Sequence, residues 1–238
     1  MQKSDGMALN ENDEPEYDIE LSLDGFSGEE SLQSILSWPE QLQKDRPIRV
    51  LLFLGGMLDQ QWSGQNISRM KIVNAIGDFF AEHREQMRIV WISLSETEIG
   101  DNACAELLKR ILEPGTPELL RLDFSCFGGI TMAQHYKFGF GPQCRSALLN
   151  ILRKKLCPNL EQLSLNGCRL GRTYGQFEGK GFVPDYLPGE SDFIPDFLTL
   201  LPISLPRLSY LNLEYCSLSE EEKTLTASFR TEHLKILL

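Results

Sequence analysis

Apolar residues recur along this chain in a fixed phrase. Leu160-x-x-Leu163-x-Leu165-x-x-Cys168-x-Leu170 returns as Leu208-x-x-Leu211-x-Leu213-x-x-Cys216-x-Leu218. Steps of three, two, three and two predict a short strand running into a tight turn. Its apolar side chains fall on one side and its thiol is tucked under the turn. Weaker copies lie upstream: Leu119, Leu122 and Phe124 with Phe127, then Ile89, Ile92 and Leu94 with Thr97 and Ile99. Earlier still come Ile48, Leu51 and Phe53 with Gly56 and Leu58, and a faint copy at Leu21, Leu23 and Phe26 with Asp18 in first place. Half a copy, Leu234-x-x-Leu237, stands at the end of the sequence.

Between these strands the apolar period changes to three and four, which predicts helices. Ile67, Met70, Val73, Ile76, Phe79 and Phe80 form one, with Asn66 or Ser68 as the capping residue. Ala103, Leu107, Leu108, Ile111 and Leu112 form another, stopped by Glu113-Pro114-Gly115. A third uses Ala147, Leu148, Ile151, Leu152 and Leu156, and a shorter fourth uses Ile194, Phe197, Leu198 and Leu201, with Pro195 in its first turn. Ser219 before Glu220, Glu221 and Glu222 starts a fifth, a capping serine with acids on the positive end of the helix dipole. Such alternation predicts parallel strands joined by right-handed crossovers.

Both full copies of the phrase resemble the consensus of leucine-rich repeats. The run Ile99-Gly-Asp-Asn-Ala-Cys-Ala-Glu-Leu-Leu108 is similar to the strand-to-helix step of the ribonuclease-inhibitor-type subfamily. The run from Cys157 to Cys168 resembles the cysteine-containing subfamily found in F-box proteins. First positions at 48, 89, 119, 160 and 208 give intervals of 30 to 48 residues. The usual period is ~20–29 residues, so the excess is loop, helix extension or insertion. The resemblance implies an α/β solenoid of about six rungs, with a curved parallel sheet on the concave side and helices on the convex side. The expected domain runs from 17 to 238, after an acidic leader over 1–16 and with insertions at 128–142 and 172–192.

Charge changes this picture only at the N-terminus. The net formal charge is −11, but residues 1 to 30 hold ten acids against Lys3 alone. The rest of the chain is close to neutral, and the leader reads as a solvated segment. No basic stripe is available for phosphates, so nucleic acid is excluded as the expected partner. No apolar run is long enough to span a bilayer, and the opening Met1-Gln-Lys-Ser-Asp lacks the core of a secretory signal. The six cysteines (Cys104, Cys126, Cys144, Cys157, Cys168, Cys216) contain no Cys-x-x-Cys pair. With three scattered histidines they predict neither a zinc site nor a disulfide framework, but reduced thiols in a cytosolic compartment, the protein's own or a host's.

Candidate chemistry is thin. Gly175 to Gly181 is not a phosphate loop, because Tyr174 and Gly181 replace the first glycine and the hydroxyl. Gly139-Phe-Gly141-Pro142 loses a backbone donor to its proline. A nucleophile drawn from Cys126 or Cys144, with His135 as base, defines the enzyme alternative, a cysteine-dependent hydrolase or transferase. Glu96, Glu98 and Asp101 lie in a strand-to-helix turn and read as a solvated turn rather than as cation ligands, and the N-terminal acids match no calcium-loop spacing. No cofactor, metal or catalytic residue is expected.

A partner face is easier to place. The consensus residues point into the core, so those between them line the opposite, concave surface. One column there reads Glu20, Val50, Trp91, Arg121, Gln162 and Tyr210. The next reads Ser22, Leu52, Ser93, Asp123, Ser164 and Asn212, and a third Asp24, Leu54, Ser95, Ser125, Asn166 and Glu214. Trp, Tyr and Arg dominate binding hot spots. The expected contact residues are Trp91, Arg121, Asp123, Gln162, Asn166, Tyr210, Asn212 and Glu214. A competing reading packs Trp91 against Val50 and Leu52 as a sheet-face cluster. Tyr136, Phe138, Tyr174 and Phe182 in the two insertions are expected to form an aromatic rim.

The function these patterns predict is protein–protein binding without catalysis, including that of a bacterial effector in a host cell. A substrate-recognition adaptor of a ubiquitin ligase is a second alternative, although Ser31 to Leu42 does not match the docking helix it would need. The apolar strand His233 to Leu238 offers an edge through which a homodimer would form.

Overall fold

A computed structural model describes residues 14–23, 28–42, 46–55, 69–95, 99–125, 140–168, 170, 175–178, 181–184, 193–216 and 218–238. Seven strands form one sheet: β1 (Ile19–Ser22), β2 (Ile48–Phe53), β3 (Met87–Ser93), β4 (Arg121–Asp123), β5 (Gln162–Ser164), β8 (Tyr210–Asn212) and β9 (Lys235–Leu237). They are parallel and lie side by side in chain order. A separate antiparallel hairpin, β6 (Gly175–Glu178) with β7 (Gly181–Pro184), falls inside the second predicted insertion. Six helices join the strands: α1 (Gly28–Ser37), α2 (Arg69–Glu82), α3 (Asp101–Leu112), α4 (Pro142–Arg153), α5 (Phe193–Ser204) and α6 (Glu220–Ala227). The fold is an open α/β sheet of seven strands, with the half copy at the end of the sequence supplying β9.

Each helix packs on the next in sequence, and a single apolar cluster fills the space between them and the sheet. A constant crossover hand between adjacent parallel strands puts all of these helices on one face. Leu163, Leu165, Leu211 and Leu213 point into that layer and are buried. The five helices predicted from periodicity appear, the first described from Arg69 on with Asn66, Ile67 and Ser68 outside the described residues, and α6 carries the full capping box between Ser219 and Glu222. α4 starts earlier than its apolar period suggests, at Pro142. α1 was not marked by the template at all.

One set of bonds ties each strand to the next, and a second is added at two of the junctions. The residue after each strand donates its N–H to the end of the following strand. Leu23 bonds Phe53, Leu54 bonds Ser93, Leu94 bonds Asp123, Phe124 bonds Ser164, Leu165 bonds Asn212 and Leu213 bonds Leu237, all at 2.7–3.0 Å. The phrase's cysteines add a second tie. Cys168 Sγ donates to the Phe124 carbonyl at 3.2 Å and Cys216 Sγ to the Leu165 carbonyl at 2.9 Å. A thiol at that position therefore ties its own turn to the end of the preceding strand.

A sequence signal outside the template sits just ahead of these strands. Pro117, Pro158 and Pro206 each precede the first Leu by two residues, inside turns where Leu119, Leu160 and Leu208 donate to the carbonyls of Thr116, Cys157 and Leu205. Proline fixes the backbone of the turn's second residue and cannot continue the helix before it.

The template misplaces β2 by one residue. Val50, Leu52 and Leu54 are fully buried in the helix-packed core, whereas Leu51 and Phe53 lie on the other face. The columns expected there with Val50 and Leu52 are corrected to Leu51 and Phe53, and Leu54 leaves the third column for the core. The register explains this. Val50 faces Ile89 and Leu51 faces Trp91, so Val90 is an extra residue in β3 and bulges the pair.

Candidate functional site

The corrected helix-free face presents two cross-strand rows. The first is Glu20, Leu51, Trp91, Arg121, Gln162, Tyr210 and Lys235, and the second is Ser22, Phe53, Ser93, Asp123, Ser164, Asn212 and Leu237. Trp91, Arg121, Gln162 and Tyr210 thus stand side by side on neighbouring strands, as the spacing predicts. Asp123 and Asn212 fall in the second row.

The charge of Arg121 is matched within the face. Arg121 places its guanidinium 4.4 Å from the centroid of the Trp91 ring and pairs with Asp123 at 3.3 Å. Asp123 Oδ1 accepts the Ser125 N–H at 2.8 Å, and Asn212 Oδ1 accepts the Glu214 N–H at 2.9 Å. These two bonds turn the chain at the ends of β4 and β8 in the same way. Ser125 and Ser164 share a hydroxyl hydrogen bond of 2.7 Å. Gln162 and Asn212 are buried, while Tyr210, Asn166 and Glu214 are partly exposed.

Trp91 does join a sheet-face cluster, but with Leu51, Val90 and Phe53 in place of Val50 and Leu52. Phe53 folds its ring back over Gly55, where a Cβ would sit 2.3 Å from the ring. A further member, Tyr17, was missed by the repeat template because it precedes the first strand; its ring meets Trp91 edge-on at 6.3 Å.

The turn before the last cysteine adds one exposed feature. Gly167 and Tyr215 hold equivalent places, one residue before Cys168 and Cys216, and both have positive φ, 73° and 58°. Glycine takes that conformation freely, but a tyrosine there is uncommon. The Tyr215 side chain is 80 % exposed at the carboxyl end of β8.

Of the rim residues, Tyr136, Phe138 and Tyr174 lie outside the described residues. Phe182 is on β7, opposite Phe177 in the hairpin. Phe140, at the end of the first insertion, is a core residue: it is buried, with its ring 5.1 Å from that of Phe124.

Cys126, His135, Glu96 and Glu98 also lie outside the described residues. Cys144 is fully buried beside Cys104. A thiol–thiol hydrogen bond with Cys104, followed by burial, raises its pKa far above the ordinary thiol range. Such a thiol is a poor source of thiolate. Asp101 has a structural task. Its carboxylate accepts the N–H groups of Gly141, Gln143 and Cys144 at 3.1, 2.9 and 2.8 Å, capping α4 from the start of α3. Among the described residues no group of three or more His, Cys, Asp or Glu is gathered as a metal site. Among them, too, no helix is long and apolar enough to cross a membrane.

No family model matches this chain, and no curated protein matches it.

The buried thiols give the protein an alkaline weakness. Burial pushes Cys157 up to about 11 and Cys216 up to about 12, from an ordinary value of 9.0. The unfolded chain loses these protons near pH 9, while the folded one keeps them. Stability is therefore whole below about pH 9 and falls as pH rises towards 11–12. Urea unfolding at a series of pH values is expected to show this slope, and Cys216→Ala to flatten it.

Proposed function

We propose that the chain is a leucine-rich repeat solenoid that binds a partner protein through its helix-free, concave face and does no chemistry of its own. The observation that carries the reading is the single cross-strand row of Trp91, Arg121, Gln162 and Tyr210. It sets an aromatic, a cation and a second aromatic at strand spacing on a sheet whose neighbouring row is mostly small and polar. That composition suits hot spots ringed by groups that permit close approach. The strand-to-strand bonds repeated at each Leu and Cys position support the solenoid reading, because each module is completed by its neighbour. Cytosolic action, in the protein's own cell or in a host cell, fits the reduced, buried cysteines.

The test compares wild type with a Trp91→Ala, Arg121→Glu, Tyr210→Ala variant whose thermal melt is checked first. A partner captured from lysate by wild type and held at least ~100-fold more weakly by the folded variant is the expected result. Equal retention by both removes the face from the binding site.

A further inference from the structure

Leu51, Val90 and Trp91 form a cluster apart from the helix-packed core, yet all three are buried. Among the described residues two side chains lie over Trp91. One is Arg121, whose charge is already matched by Asp123 on the same strand. The other is Tyr17, which reaches Trp91 on β3 although β1, the strand that follows it, pairs with β2. The Tyr17 ring thus crosses the helix-free side of β2, while the backbone beside it stays in line with β1: Asp18 donates its N–H to the Arg49 carbonyl at 2.8 Å and accepts the Arg49 N–H at 2.7 Å. The ring itself is held lightly, because Tyr17 is 37 % exposed and the ion pair next to it, Glu16 with Arg49 at 3.2 Å, is exposed too. An exposed ion pair of this kind contributes little to holding a segment down.

A second observation concerns the indole itself. Trp91 is 9 % exposed, and its Nε1–H is buried with no hydrogen-bond acceptor among the described residues. A buried donor left unpaired disfavours the arrangement that buries it. The covered state therefore has a light fastening and an unmet hydrogen bond in the same place.

We propose that Tyr17 is a displaceable cover, and that its competitor is an uncharged peptide segment of the partner protein. That segment seats an apolar side chain on Leu51 and Trp91 and gives a carbonyl oxygen to the Trp91 Nε1–H. It is uncharged because Arg121 and Asp123 neutralise each other, so an added charge would have to break that pair. The chemistry of the competitor rests on the helix-free face being the partner site; the displacement of Tyr17 does not.

The first arm of the test uses the full chain labelled with nitrogen-15, the Trp91 indole resonance being assigned by its loss in Trp91→Phe. In Tyr17→Ala, exchange of that indole proton is expected to speed up about tenfold or more, with core amide protection unchanged. Unchanged indole exchange in the folded variant overturns the cover. The second arm selects peptides from a random display library on Tyr17→Ala and titrates them on the wild-type chain. They are expected to be uncharged and about tenfold weaker on wild type. They should also weaken about tenfold on Trp91→Phe, which keeps a ring and removes the N–H. Acidic or basic consensus peptides, or no peptide that depends on Trp91, overturn the proposed partner chemistry. Peptides indifferent to both Trp91→Phe and Arg121→Glu overturn the face as the site, and the exchange result then still decides the cover.

Discussion

Asp101→Ala is expected to lower the unfolding free energy by about 3 kcal/mol, a fall of roughly 6–12 °C in Tm for a chain of this size. The carboxylate accepts three backbone N–H groups at the start of α4. Those donors have no partner within their own helix, and α4 has no side-chain cap of its own at Gly141. Removing the carboxylate leaves them to water or to nothing, and it also loosens the join between α3 and α4. Asp101→Asn keeps one acceptor oxygen and loses the charge, so about half of the effect is expected. Gly141→Ala attacks the same joint from the other side, because its Cβ would lie 2.7 Å from Asp101 Oδ2. Urea unfolding of the three variants tests this, and an Asp101→Ala loss below about 0.5 kcal/mol would remove Asp101 from the capping role.

The second large effect separates two neighbours on β2. Leu52→Ala is expected to destabilise by about 3–5 kcal/mol, since a fully buried side chain is deleted from the helix-packed core. Phe53→Ala, although it removes more atoms, is expected to cost only about 1 kcal/mol, because Phe53 is partly exposed on the other face. The repeat template in its simplest alignment predicts the reverse order. Equilibrium unfolding of the two variants therefore reads the strand's register directly, and a larger loss at Phe53 would put the strand back in the template's phase.

That one-residue slip shows where the sequence was legible. At β4, β5 and β8 the core positions Leu122, Leu163 and Leu211 alternate with Arg121, Asp123, Gln162, Ser164, Tyr210 and Asn212, so only one phase buries the apolar set. In β2 the run Val50-Leu-Leu-Phe-Leu54 is apolar in both phases, and the template fits either. The tie-breaker is Val90, an extra residue in the neighbouring strand, which a one-strand pattern cannot contain. Asp101 was misread for a similar reason. Its three donors lie 40 to 43 residues further on, and only the packing of two helices brings them together. Tyr17 sits in an acidic stretch before the first strand, where composition marks only solvation. Most of the polar row was visible because an alternating strand fixes which side a residue takes. What that row touches was not.

The strand order has a mechanical consequence. β1 and β9 are the two edges of the sheet, with five strands between them. At a spacing of ~4.8 Å the two edge strands lie roughly 30 Å apart across the sheet. A pull applied at those two strands runs across all the others, loading the sheet's bonds one ladder at a time as in unzipping a seam.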